Sequence, residues 1–97
     1  MRSGMRPIHP GEILREEFMA PLELSASALA RSLNVPPNRV TMLLREERDV
    51  TADTALRLAR AFDTTPEFWM NLQVAHDLRK AETESARKIA SEVKRVG

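Results

Sequence analysis

A group of polar side chains recurs between residues 37 and 45 at a spacing that leaves them on the outer side of a short helix. Their amide, hydroxyl, guanidinium and thioether groups are the types that contact the edges of base pairs in the major groove of DNA. An arginine donates two hydrogen bonds to a guanine, so Arg39 and Arg45 are the leading candidates for base or phosphate contacts. The sequence therefore predicts a DNA-reading surface that comprises Pro37, Asn38, Arg39, Thr41, Met42 and Arg45.

Each of these side chains also has an ordinary alternative. Arg39 and Arg45 can belong to a solvated helix face, and Met42 can either pack on a thymine methyl group or fill the core. Phosphate contacts are expected beside this helix, because Pro36 and Pro37 remove two backbone N–H groups from its start and weaken the usual anion site there. The candidates for these phosphate contacts are Ser25, Ser27, Arg48 and Thr51.

Two short helices that cross at a steep angle are needed to hold this surface outward. The apolar residues between positions 26 and 45 fall on one face of each helix. The small Ala30 lies where the two axes would approach most closely, and Asn34 occupies the bend, where a positive φ is tolerated best by glycine and next best by asparagine. The layout is that of a helix-turn-helix, with an inner face made of Leu29, Ala30, Leu33, Val35, Val40, Leu43 and Leu44.

The rest of the sequence completes an all-α pattern. A first helix begins at Pro10 and stops at Pro21, and Ser25, Thr51 and Thr65 are placed to cap later helices. No strand-type alternation of useful length appears, so the fold class is all-α: a five-helix domain with a polar C-terminal helical tail. The predicted organisation is a flexible arm at residues 1–8, a DNA-binding domain at 9–80 and an amphipathic tail at 81–97.

Composition narrows the classes of function. The 97 residues include no cysteine, so neither a disulfide framework nor a thiolate metal site is expected. His9 and His76 do not form a metal-ligand pair at helical spacing, and His76 and Asp77 are expected to point away from each other, which argues against a catalytic dyad. Apolar runs are too short for a signal peptide or a membrane span. We therefore expect a cytoplasmic protein with no enzyme activity, cofactor, metal or membrane segment.

A net charge of only +1 gives little support for DNA binding by itself. One copy would neutralise few phosphates, so we expect a homodimer that presents two such helices. Trp69, Asn71 and Gln73 are candidate subunit contacts; the alternatives are a core position for Trp69 and ordinary surface for the other two. For the tail three alternatives stay open, namely docking on a protein partner, dimerisation or disorder.

Three stretches of the sequence resemble one known family. They are HPGEILREEF at residues 9–18, DVTADTALRLARAF at 49–62 together with the helix-turn-helix before it, and TPEFWMNLQVAHDL at 65–78. The last stretch is the most specific, since a Pro-Glu-Phe-Trp opening followed by Asn-Leu-Gln is similar to the HigA-type antitoxins of the Xre/Cro helix-turn-helix class, formerly grouped with virulence-associated protein I. The resemblance covers most of the chain.

The resemblance implies a lambda-repressor-like fold, a homodimer, repression of the protein's own operon through an inverted-repeat operator, and neutralisation of a HigB-like messenger RNA endonuclease toxin. It also implies that residues 37–44 lie in the major groove. The chain departs from the family at Asn34, where glycine is common, and at Pro36, where a serine or threonine would contact DNA. A stand-alone regulator of the same fold without a toxin is the alternative function. A helical protein-interaction module that has lost DNA binding is a third.

Overall fold

The helices of this chain begin at residues that supply a hydrogen-bond acceptor or a proline ring. The computed structural model describes residues 6–97, and in this range the chain forms five helices and no strands. They are α1 (Pro10–Ile13), which continues as a π-helical segment (Leu14–Met19), α2 (Ala26–Leu33), α3 (Pro37–Leu44), α4 (Ala52–Phe62) and α5 (Pro66–Glu92). The all-α fold class is confirmed, whereas residues 1–5 of the predicted arm lie outside the described residues.

The predicted capping residues are confirmed. The hydroxyl oxygens of Ser25, Thr51 and Thr65 each accept a hydrogen bond from a backbone N–H in the first turn of the following helix, at 3.1, 3.3 and 3.1 Å. The sequence analysis missed the cap of α1, where His9 Nδ1 accepts a hydrogen bond from the N–H of Gly11 at 2.9 Å. Helix α3 has no capping side chain and relies on a proline in its first turn.

The bend between α2 and α3 has the predicted geometry. Asn34 has a φ of 57° and a ψ of 51°, in the left-handed region. The N–H of Asn34 donates to the carbonyl of Arg31, and the N–H of Val35 donates to the carbonyl of Ala30, both at 3.1 Å. These bonds satisfy carbonyls at the end of α2, so the chain turns sharply into α3 without leaving them unpaired.

The core lies where α2, α3, α4 and α5 meet. Leu29, Ala30 and Val40 are each 1% exposed, and Leu58 and Trp69 are 0% exposed. Full burial of such a side chain stabilises the fold by about 1.5 to 3 kcal/mol. The inner face predicted for the helix-turn-helix is confirmed, with two of its members only partly buried against the core.

The first helix differs from the prediction of a regular α-helix, because it becomes a π-helix after one turn. The N–H of Ala20 donates to the carbonyl of Arg15 at 3.0 Å, which is the five-residue reach of a π-helix. Residues five apart lie nearly on the same side of a π-helix but well apart on an α-helix. Leu14 and Met19 are therefore both buried.

The fifth helix is longer than the prediction that it ends near residue 80. It runs without a break to Glu92, so residues 81–92 extend α5 instead of forming a separate helical tail. Residues 67–96 contain neither glycine nor proline, and their alanines and long charged side chains favour a helix. Nearly all side chains beyond residue 80 are exposed. The division of the chain into domains stays a prediction.

Candidate nucleic-acid interface

Helix α3 turns one side to the core and the other to solvent. Val40 and Leu43, which are 1% and 3% exposed, face the core. Helical spacing puts Asn38, Met42 and Arg45 on the opposite side, where Asn38 and Arg45 are exposed and Met42 is partly exposed. Met42 is not part of the buried core, so it stays available for contact with a ligand.

The other predicted contact residues differ in exposure. Pro37 and Ser27 are exposed, whereas Thr41 and Arg48 are partly buried. The hydroxyl of Thr41 donates to the carbonyl of Asn38 at 3.3 Å, so its oxygen remains as an acceptor. Whether Ser27 and Arg48 contact phosphates stays a prediction.

The C-terminal end of α3 is held by the first helix. Arg15 NH1 donates to the carbonyl of Leu44 at 2.8 Å, which satisfies one of the carbonyls that a helix end leaves unpaired. Gly11 lies so close to α3 that a Cβ atom at this position would overlap the carbonyl oxygen of Leu43. Neither contact follows from the sequence pattern, and together they fix α3 against the body of the protein.

Arg39 lies at the edge of α3 that faces α4. Its NH1 donates to Asp53 Oδ2 at 2.9 Å, and Arg57 Nε donates to the same oxygen at 2.9 Å. Arg57 NH1 also donates to the carbonyl of Leu33, at the end of α2, at 2.9 Å. The hydrogen bond from Arg57, together with the bond from Arg39 and both positive charges, lowers the pKa of the Asp53 carboxyl. The carboxylate is therefore ionised at neutral pH.

Asp53 and Arg57 are residues of this surface that the sequence analysis missed. Their spacing of four residues on α4 signals an ion pair with each other. The link to Arg39 crosses from one helix to another, so no local pattern reveals it.

Two of the three predicted subunit contacts lie in the interior. Trp69 is 0% exposed, and its indole N–H donates to Thr64 Oγ1 at 2.8 Å. Gln73 is 4% exposed, and its side-chain oxygen accepts a hydrogen bond from the N–H of Val50 at 2.7 Å. The prediction of a subunit contact is wrong for Trp69 and Gln73, because a second copy cannot reach them. Asn71 is exposed and stays a candidate.

The two histidines lie together in space. The ring centroids of His9 and His76 are 4.9 Å apart. His76 Nδ1 lies 3.3 Å from Asp77 Oδ1, so the expectation that these neighbours point apart is wrong.

Within residues 6–97, no three His, Cys, Asp or Glu side chains are grouped so that they could hold a metal ion. In the same range no helix combines the length and the apolar character that crossing a membrane requires. The lack of enzyme activity stays a prediction.

Comparison with known proteins connects this geometry to a family. A family model described as helix-turn-helix matches residues 14–69. Virulence-associated protein I of Dichelobacter nodosus is 53% identical over 81 residues, which are 84% of this chain and 75% of that protein. An addiction module antidote protein of a HigA family from Coxiella burnetii is 56% identical, with a TM-score of 0.89 over 94% of this chain and 99% of that one. The chain belongs to the HigA family of helix-turn-helix proteins.

A further relative of this HigA-family chain was solved on DNA. The structure of antitoxin GraA in complex with its operator is 55% identical, has a TM-score of 0.91, and covers 100% of this chain and 98% of that one. The resemblance seen in the sequence is thus confirmed, and it extends along the whole chain. In the HigA-family helix-turn-helix described here, α3 is the second helix, and its exposed side carries Asn38 and Arg45.

Proposed function

We propose that this HigA-family protein is the antitoxin of a toxin-antitoxin system and represses its own operon. The exposed side of α3 carries the proposal, because Asn38 and Arg45 project from a helix that α1 and the core hold in place. A fixed helix with amide and guanidinium groups outward suits the major groove. The GraA structure, which contains its operator, supports DNA as the ligand. The protein acts where its operon is transcribed, in the cytoplasm.

Two copies of the chain read the two halves of an inverted repeat. A dimer places two α3 helices about one turn of the duplex apart, roughly 34 Å. The net charge of +1 makes a single copy a weak DNA binder, since binding strength rises with the number of phosphates neutralised. Linking two copies makes the second contact intramolecular.

The second copy packs along one side of α5. This side, here called the α5 stripe, exposes Val74, Leu78 and Ile89 at 50%, 60% and 49%, and it includes Val93, the C-cap of α5, at 67%. An antiparallel crossing at the middle of the stripe, between residues 83 and 84, puts Leu78 of one copy beside Ile89 of the other and Val74 beside Val93.

An operator-binding assay tests the DNA part of the proposal. The unaltered protein prefers the inverted repeat upstream of its own gene over a random duplex at moderate salt. Arg45→Ala lowers affinity for that repeat by about tenfold or more, because a bidentate contact to guanine is worth roughly 1 to 3 kcal/mol. Arg60→Ala is the matched control, since Arg60 is also exposed but lies on α4. No preference for the repeat in the unaltered protein contradicts the proposal.

A toxin partner is proposed on the ground of family membership, supported by the antidote protein from Coxiella burnetii. The partner is a small HigB-like endonuclease encoded beside this gene. Co-expression and co-purification with the product of the adjacent gene test this part. Capture of that product, with loss of its ribonuclease activity, supports the antitoxin. An operator-binding protein with no such partner is instead a stand-alone regulator of the same fold.

A further inference from the structure

Arg39 is restrained in a way that Arg45, the C-cap of α3, is not. Its side chain is 27% exposed and is bonded to Asp53 at 2.9 Å, whereas Arg45 is exposed at the end of the helix. A free arginine loses rotamer freedom when a ligand immobilises it. A guanidinium that is already held loses less, and with five N–H donors it keeps enough for the two acceptors of a guanine.

The restraint on Arg39 reaches the helix-turn-helix bend. Asp53 Oδ2 also accepts from Arg57 Nε at 2.9 Å, and Arg57 donates to the carbonyl of Leu33 at 2.9 Å. Leu33 is the last residue of α2, directly before Asn34 in the bend. The chain of bonds therefore ties the end of α2, the start of α4 and the edge of α3 together, and Asp53 is the member common to both arginines.

Asp53 also places a negative charge beside a surface that binds phosphates. Two arginines bond to Asp53 and leave the group of three with a net charge of +1, but the carboxylate is 58% exposed and contributes repulsion toward the backbone of any duplex, whatever the sequence. A correct operator offsets this repulsion through base contacts of Arg39, but a random duplex does not. A carboxylate in this position therefore favours discrimination between the operator and a random duplex over tight binding of DNA in general.

We infer that Asp53 is a positioning residue that sets how strongly the protein distinguishes its operator from other DNA, by holding Arg39 ready for base contact while opposing sequence-independent binding. The inference rests on the proposed function, since it needs a DNA site that α3 reads. Asp53, which lies on α4, thereby contributes to the specificity for the operator without contacting a base itself.

Affinities of Asp53→Ala for the operator and for a random duplex, at one salt concentration, test the inference. Operator affinity falls because Arg39 is released, and random-duplex affinity rises because a negative charge is gone. The ratio of the two affinities falls by about tenfold or more. Asp53→Asn keeps an acceptor for Arg39 but not the charge, so it retains more operator affinity than Asp53→Ala. Glu17→Ala, which removes an exposed carboxylate from the first helix, leaves the ratio unchanged.

A double-mutant cycle shows whether Asp53 acts through Arg39. In the Arg39→Ala background, Asp53→Ala no longer lowers operator affinity and only raises affinity for both duplexes alike. An equal loss of operator affinity in both backgrounds overturns the inference. An equal rise in affinity for both duplexes, when Asp53→Ala is made in the protein that keeps Arg39, also overturns the inference, because such a rise is a charge effect alone.

Thermal unfolding of each variant separates positioning from simple stabilisation. If Asp53→Ala lowers Tm and reduces both affinities in proportion, Asp53 is merely structural and the inference is overturned. Failure of the proposed function has a different signature: the unaltered protein shows no preference for its operator at all. An unaltered protein that prefers its operator, with an unchanged ratio in Asp53→Ala, overturns the inference alone.

Discussion

Gly11 permits the first helix to touch the end of helix α3. A Cβ atom at this position would overlap the carbonyl oxygen of Leu43, which is backbone and cannot rotate away. The requirement comes from close approach, because the structure gives Gly11 no positive φ. One hydrogen atom in place of a methyl group thus sets the distance between α1 and α3.

Gly11→Ala lowers the free energy of unfolding by about 1 to 3 kcal/mol, since the helices must move apart to admit the methyl group. Urea denaturation followed by circular dichroism measures the loss. Gly97→Ala is the control, because a Cβ atom there meets nothing within 4 Å. Equal stability of the two variants would show that α1 and α3 are not in close contact.

His9 makes the stability of the chain depend on pH. His9 is 3% exposed, and burial, followed by the charge of His76, lowers its pKa below the ordinary value of 6.5. Glu46, Asp49 and the backbone of Arg48 act in the opposite direction. The unfolded chain therefore binds the proton first, so the stabilisation is present above pH 6.5 and is lost as pH falls below it.

His9→Asn reduces this pH dependence, because an amide oxygen can still accept from the N–H of Gly11 but does not titrate. The free energy of unfolding at several pH values between about 5 and 7.5 gives the slope. His76→Asn is the comparison, since it removes a neighbouring charge and leaves the cap of α1 intact. A slope that His9→Asn leaves unchanged rules His9 out as the source.

For the helices, the sequence predicts those features that depend only on residues close to one another along the chain. Ser25, Thr51 and Thr65 cap helices because a capping hydroxyl needs only an N–H two or three residues away. The π-helical segment at residues 14–19 is not predicted, because the interpretation of the apolar pattern assumes an α-helical period. The hydrogen bond from Arg39 to Asp53 is not predicted for another reason, because it depends on how α3 and α4 pack.

The bend of the helix-turn-helix depends on the left-handed conformation of Asn34. Asn34→Val lowers the free energy of unfolding by about 1 to 2 kcal/mol, because a branched Cβ is disfavoured at this φ, while Asn34→Gly is close to neutral. Denaturant unfolding measures both variants. Asn38→Val serves as control, since Asn38 is exposed within a right-handed helix. Equal costs for the two valines would contradict a special role of the bend.

For the whole molecule, the long α5 gives the chain its elongated shape, with extents of 51, 25 and 22 Å. Local sequence indicates the apolar face of this helix, but the residues that remain exposed after folding become apparent only in three dimensions. Trp69 and Gln73 are both candidate subunit contacts in the sequence, yet folding buries both of them. The α5 stripe is the apolar surface on which we propose that a second copy packs.

Leu78→Glu converts the proposed dimer into monomers, because a carboxylate is placed opposite the apolar Ile89 of the other copy. Sedimentation velocity at micromolar concentration measures the mass. Leu22→Glu is the control, as Leu22 is 65% exposed but lies outside α5. A Leu78→Glu protein that remains dimeric excludes the α5 stripe as the interface.

The two prolines at the start of α3 have a consequence for selectivity. Pro36 is fixed at a φ of −61°, and the adjoining ring of Pro37 leaves the junction few conformations even in the unfolded chain. A serine at position 36 would supply a hydrogen-bond donor for a DNA phosphate, but it would also make the junction before α3 more flexible. With a stiff joint the protein adapts little to the duplex, so we expect it to favour operators whose groove width already matches the helix, and to tolerate poorly those that must be reshaped.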